Sequence, residues 1–254
     1  MCMKRNIWLL FFVVVSTFSS GQGNDQILIA AASDLKFALD SVVTVFKKAN
    51  PEARVEVTYG SSGKLFEQIS HMAPFDLFFS ADIEYPSNLK KNGIVLSEVH
   101  AYGVGRIVIW SQIIDPAHGQ INSLLDKKIR KITIANPRHA PYGKRAEEAL
   151  RHYKVYENVK DKLVYGENIS QTAQFVTAGA AEAGIIALSL ALSPGMKKLN
   201  GHYYIIPENA HTPLEQGFVI LKKAEQNPLA VAFKDFMLGT DATKILGYFG
   251  FTKK

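Results

Sequence analysis

The feature that most limits the fold of this chain is a repeated pairing. A short apolar run stops abruptly at small residues, and a helical pattern follows at once. Residues 27–32 (ILIAAA) are too few for a buried helix and read as a buried parallel strand. Ser33 and Asp34 come next. Leu35, Phe37, Ala38, Leu39, Val42, Val43 and Phe46 then fall on one face of a helix. Ser33 or Asp34 is therefore expected to cap that helix. Pro51 closes the unit. Residues 54–59 (RVEVTY) alternate as a second strand, 60–63 (GSSG) break it, 64–72 read as a helix and 76–79 (DLFF) as a third strand. Strand–helix–strand–helix–strand order calls for a parallel sheet with helices on both faces.

A second unit of the same kind begins near Gly103. Strands are expected at 106–110, 131–135, 162–165 and 183–187, with helices at 144–153 and 170–178. A strand at 216–221, a helix at 229–238 and an amphipathic piece at 241–251 complete the chain. Two α/β units in 254 residues imply two lobes with a cleft between them. Ligands of such sheets sit beyond the carboxyl ends of the strands.

The N-terminus has the layout of a secretory signal peptide. Lys4 and Arg5 precede nine apolar residues, 7–15 (IWLLFFVVV), and then Ser16, Thr17, Ser19, Ser20 and Gly21. The apolar run is too short to span a bilayer. Residues 1–21 are thus expected to be removed on export. Cys2 would leave with them, and the mature chain would have neither disulfides nor cysteine zinc sites. The formal charge of +6 would fall by two, and no basic block remains, which argues against nucleic-acid binding.

Four loops place small residues at the start of a helix: 32–34 (ASD), 60–63 (GSSG), 140–143 (APYG) and 167–170 (ENIS). Helix N-termini expose unpaired N–H groups and partial positive charge, and so bind anions without a cationic side chain. Serine hydroxyls add rotatable donors. Each loop also has a plainer reading: Ser33 as a cap, 60–63 as a turn, Pro141 as a helix start, Ile169 as core. Their convergence favours a shared ligand. Asp76 and Asp82 read as loop-holding residues more readily than as paired acids. The seven His residues form no metal-ligand spacing. Ser61 and Ser62 lack both the Gly-x-Ser-x-Gly elbow and a placed base, so a secreted hydrolase is the weaker alternative. Lys64, Lys144 and Arg145 read as solvated helix faces.

Five segments in order, 30–35 (AAASDL), 59–65 (YGSSGKL), 73–82 (APFDLFFSAD), 135–143 (ANPRHAPYG) and 247–251 (GYFGF), resemble the periplasmic molybdate-binding proteins of bacterial ABC importers. The resemblance covers nearly the whole mature chain. It implies a type II periplasmic binding fold: two lobes, each a mainly parallel sheet flanked by helices. Lobe 1 would comprise 22–103 and 208–254, and lobe 2 would comprise 104–207. It also implies a monomeric, non-enzymatic receptor that delivers molybdate or tungstate to a membrane permease and needs no cofactor. The oxyanion would be held by hydrogen bonds, not by direct metal coordination. Ser33 and Ser62 match the family's ligand-binding serines, and Tyr142 and Ile169 match positions that give backbone N–H groups. Many members carry a tyrosine donor where this chain has Ala187, and the resemblance suggests that the Tyr142 hydroxyl replaces it. A receptor for sulfate or phosphate is the alternative within the same class.

Overall fold

The computed structural model describes residues 25–253, so the expected signal peptide and Cys2 lie outside the described residues. Among the described residues, ten strands form two sheets. The strands are β1 (Gln26–Ala32), β2 (Arg54–Gly60), β3 (Leu77–Ser80), β4 (His100–Gly105), β5 (Ile107–Ser111), β6 (Ile132–Ala135), β7 (Leu163–Gly166), β8 (Ala183–Ala187), β9 (His202–Ile205) and β10 (Leu214–Ile220). The first sheet runs β2-β1-β3-β10-β4 and the second β7-β6-β8-β5-β9. In each, three neighbouring strands are parallel and the last two are antiparallel. The sheets are therefore mixed. Strands β4 and β9, unread in the sequence, supply an antiparallel edge to each.

The principal helices are α1 (Lys36–Ala49), α2 (Ser62–Ser70), α3 (Glu84–Lys91), α4 (Pro141–His152), α5 (Ile169–Thr177), α6 (Leu188–Ala191), α7 (Pro228–Leu238) and α8 (Thr240–Tyr248). Alternation along β1 decides which helix packs where. Ile27, Ile29 and Ala31 face α1, α7 and α8 together with Phe79, Phe218 and Phe233, whereas Ala30 faces α2 and α3 with Leu65, Ile69, Phe78 and Leu89. Phe79 stacks on Phe218 at 4.6 Å across the β3–β10 pair, and Phe46 meets Phe233 edge-on at 5.0 Å. Both of those apolar groups are fully or almost fully buried, and each buried aromatic contributes about 1.5–3 kcal/mol of transfer free energy. In the second sheet every residue of β5, β6 and β8 is buried, as strands covered on both faces require.

The chain crosses between the sheets twice. Arg106 alone separates β4 from β5, and residues 206–213 separate β9 from β10. The crossings are tied together: Ile206 N donates to Ile107 O at 3.1 Å, and the Arg106 guanidinium reaches Glu208 at 2.9 Å. A bridge between Val104 and Thr252 braces the first crossing from outside.

Candidate functional site

Four β-strands, β1, β2, β6 and β7, lead into turns that line one cavity, and the turn after each begins a helix. The fourth such turn comes from the second sheet's edge. After β1, the chain makes a turn of 3-10 helix over Ser33–Leu35 before α1 starts at Lys36. This corrects the expectation of a side-chain cap, since neither Ser33 nor Asp34 caps the helix. Both side chains turn instead towards the other lobe. After β2, α2 begins at Ser62, two residues earlier than the apolar pattern suggests. After β6, α4 begins at Pro141, and after β7, α5 begins at Ile169, where Asn168 caps it by accepting from Gln171 N at 3.0 Å.

These turns close on one small cavity of about 10 Å³, lined by residues 32–34, 60–62, 81, 140–142 and 169. Ser33, Ser62, Tyr142 and Ile169 all stand in that lining and all are buried. Ser62, Tyr142 and Ile169 lie in the first turns of their helices, where backbone N–H groups have no acceptor within the helix. The Ser62 hydroxyl accepts from Ala81 N at 3.0 Å, which leaves its proton to donate elsewhere. The Ser33 hydroxyl donates to Asn168 Oδ1 at 3.1 Å and accepts from Ser170 N at 3.3 Å.

Among the described residues, no lysine or arginine lines the cavity. Two cations of the adjoining helices are paired off outside it. Lys64 meets Glu167 across the cleft, and Arg145 reaches Glu148 and, at 3.7 Å, Asp82. Arg145 is thus half-buried and paired, contrary to its reading as a solvated residue. Asp76 is a buried structural group that accepts from Leu28 N and Lys223 Nζ, and Asp82 caps the turn into α3 through Glu84 N.

The lobes touch directly around the cavity, so the structure is the closed form. Gly63 N donates to His139 O at 2.9 Å, and Ser61 Oγ lies 2.9 Å from His139 Nδ1. Ser170 Oγ donates to Ser33 O, and Ser189 Oγ to Asp34 O, both at 2.8 Å. Gly63 is glycine for a steric reason: a Cβ there would stand 2.7 Å from His139 O.

Beneath the cavity lies a buried polar chain that the sequence did not signal. Tyr142 OH donates to Asp34 Oδ2 at 3.0 Å. Gln216 Nε2 donates to the same oxygen and to Tyr142 OH, each at 3.0 Å, and Tyr102 OH donates to Gln216 Oε1 at 2.6 Å. The Tyr142 hydroxyl proton is therefore spent on Asp34, and the groups this residue presents to the cavity are its backbone and ring. The expected exchange of a hydroxyl donor from position 187 to Tyr142 is not what this geometry provides. Burial pushes the Asp34 carboxyl up to about 6, against the pull of its hydrogen bonds to Gln216 and Tyr142. Burial likewise raises Tyr142 and Tyr102 well above the usual phenol range. Gly105 sits against this chain, and a Cβ there would run into the Tyr142 hydroxyl and the Gln216 amide.

Comparison with known proteins agrees with this architecture. Residues 27–252 match the family model of bacterial extracellular solute-binding proteins. The molybdate-binding protein ModA of Azotobacter vinelandii is 33% identical over 227 residues, covering 89% of each chain. The ModA protein of Rhodobacter capsulatus is 33% identical over 199 residues, covering 78% of this chain and 77% of the relative. The solved periplasmic molybdate-binding protein of Azotobacter vinelandii superposes with a TM-score of 0.82 at 27% identity, covering 90% of this chain and 99% of that one.

Proposed function

From the premise that this chain belongs to the bacterial extracellular solute-binding proteins, alongside the ModA molybdate-binding proteins, we propose that it captures molybdate between its lobes. It then hands the ion to the permease of an ABC importer. The observation that carries this reading is the cavity itself: neutral donors from four helix starts, two in each lobe, with no cation in the lining. Ser62 contributes its free hydroxyl proton and backbone donors, Ser33 a backbone donor and a hydroxyl that would turn from Asn168 Oδ1 to the ligand, and Tyr142 and Ile169 contribute backbone N–H groups. Tungstate, with the same charge and nearly the same size, is the expected second ligand. The lobes divide at the two crossings, residues 22–103 with 208–254 against 104–207. Residues 1–21 act as the export signal, and the mature receptor works as a periplasmic monomer without catalytic activity or cofactor.

The energetics follow from the donors. Molybdate is a dianion whose four oxygens only accept hydrogen bonds at neutral pH. About six charge-assisted bonds at roughly 1.5–3 kcal/mol each would give about 9–18 kcal/mol before the costs of closure and immobilisation. A Kd between micromolar and nanomolar, about −8 to −12 kcal/mol, lies within that balance. Exclusion of water on closure strengthens each dipole. Sulfate has the same charge but is smaller, so rigid loops that hold the donors apart would leave its bonds stretched.

Titration calorimetry with molybdate, tungstate, sulfate and phosphate tests the reading. Molybdate and tungstate are expected to bind at least tenfold more tightly than the other two. Preference for sulfate or phosphate would replace molybdate as the ligand.

A further inference from the structure

Among the described residues, Asp34 is the one carboxyl in the cavity lining, and no cationic side chain lines the cavity beside it. Each element packed against it offers a neutral group. Tyr142 from α4 and Gln216 from β10 donate to Oδ2, Tyr102 from β4 orients the Gln216 amide, and Ser189 from α6 donates to the Asp34 backbone carbonyl. The largest influences on this carboxyl are burial and its neutral hydrogen-bond partners, with no lysine, arginine or histidine among them. Its second oxygen, Oδ1, is buried and accepts no hydrogen bond of good geometry, although the N–H groups of Asp34 and Leu35 lie near the carboxyl. In the charged form Oδ1 is an orphan acceptor at the wall of an anion site. A proton on Oδ1 removes both the charge and the orphan acceptor.

Resting on the oxyanion reading above, we infer that Asp34 couples ligand capture to protonation: when a tetrahedral dianion enters the cavity, the Asp34 carboxylate takes one proton from solvent. The bound state then pairs the guest with a neutral carboxyl. Two like charges in one dry site disfavour each other, and the weaker acid of the pair responds by holding its proton. Burial in the closed cleft has already brought Asp34 close to that point. The step balances simply: one proton leaves solvent, one O–H bond forms at the carboxyl, and the ligand remains unprotonated. By linkage, affinity rises as pH falls from the bound-state value of the carboxyl down to about 6, and levels off below that, where the free protein is already protonated.

The test is calorimetry with sodium molybdate in buffers of high and low ionisation enthalpy, between about pH 6.5 and 8.5. The wild-type protein is expected to take up close to one proton per molybdate near pH 7.5. Its affinity should gain up to about tenfold for each unit of pH lowered. Asp34→Asn should bind with no proton uptake and a flat affinity profile. Tyr142→Phe removes a donor to the charged form and should move the midpoint of the wild-type profile to higher pH. Molybdate binding to the wild type with buffer-independent heat and flat affinity would overturn the inference while leaving the oxyanion reading standing. No binding of molybdate or tungstate at any pH would remove the oxyanion reading and this inference with it.

Discussion

At the scale of single residues, Asp34 and the two serines carry separable energies. The folded protein holds the Asp34 proton more tightly than an unfolded chain does, about 6 against an ordinary 3.8. The sign follows: this group favours folding below about pH 4, and that contribution is lost as pH rises through 6. At neutral pH the charged, buried carboxyl costs about 3 kcal/mol. Asp34→Asn keeps an acceptor for Tyr142 and Gln216 and should abolish this loss. Urea unfolding of both proteins at about pH 5 and pH 8 checks it, the wild type losing about 1.4 kcal/mol more than Asp34→Asn between the two, since the rest of the contribution is already lost below pH 5. The serines act on the ligand instead. Ser33→Ala and Ser62→Ala should each weaken molybdate binding by about 1–3 kcal/mol, roughly 5- to 150-fold. Ser62→Ala should also lower stability slightly, because Ala81 N loses its acceptor. Unchanged affinity in both, measured by calorimetry, would remove them from the site.

At the scale of elements, much was legible from periodicity. Strand β8 stands where the apolar run at 183–187 put it, and β1, β2, α5 and α7 lie within one residue of their expected bounds. Strand β4 was missed because His100–Gly105 carries two glycines and is largely half-exposed. Strand β9 (HYYI) is an edge strand with no buried residue and therefore shows no apolar alternation. The four positions that line the cavity could be read because loop chemistry at a helix start is local. The partners of Asp34 could not, since Gln216 is 182 residues away and Tyr142 is 108. The first turn of α2 offers a test at this scale. Gly63→Ala puts a methyl group against the His139 carbonyl of the other lobe, so it should leave each lobe folded but hold the cleft open. The expected result is an unchanged melting temperature without ligand and at least a tenfold loss of molybdate affinity. Small-angle scattering should then show no ligand-dependent contraction.

At the scale of the whole molecule, every group between the lobes is short-range and mostly neutral. The Ser61–His139 contact, the Gly63 amide, the Ser170 and Ser189 hydroxyls and the Asp34–Tyr142 bond all span the cleft, with Lys64–Glu167 and Arg145–Asp82 as ionic additions at its rim. A guest that replaces some of these bonds with stronger charge-assisted ones needs only a modest advantage to shift the balance towards closure. The strand order has a further consequence. Strand β10 lies between β3 and β4, although the entire second sheet intervenes in the chain between β4 and β10. The first lobe therefore cannot be completed until the second has been synthesised. During that interval β3 presents a bare apolar edge, and β4 lacks its only neighbour in the sheet. Such late, long-range strand insertion makes for slow maturation and a vulnerable nascent chain. The topology that joins two halves around an ion also obliges them to mature together.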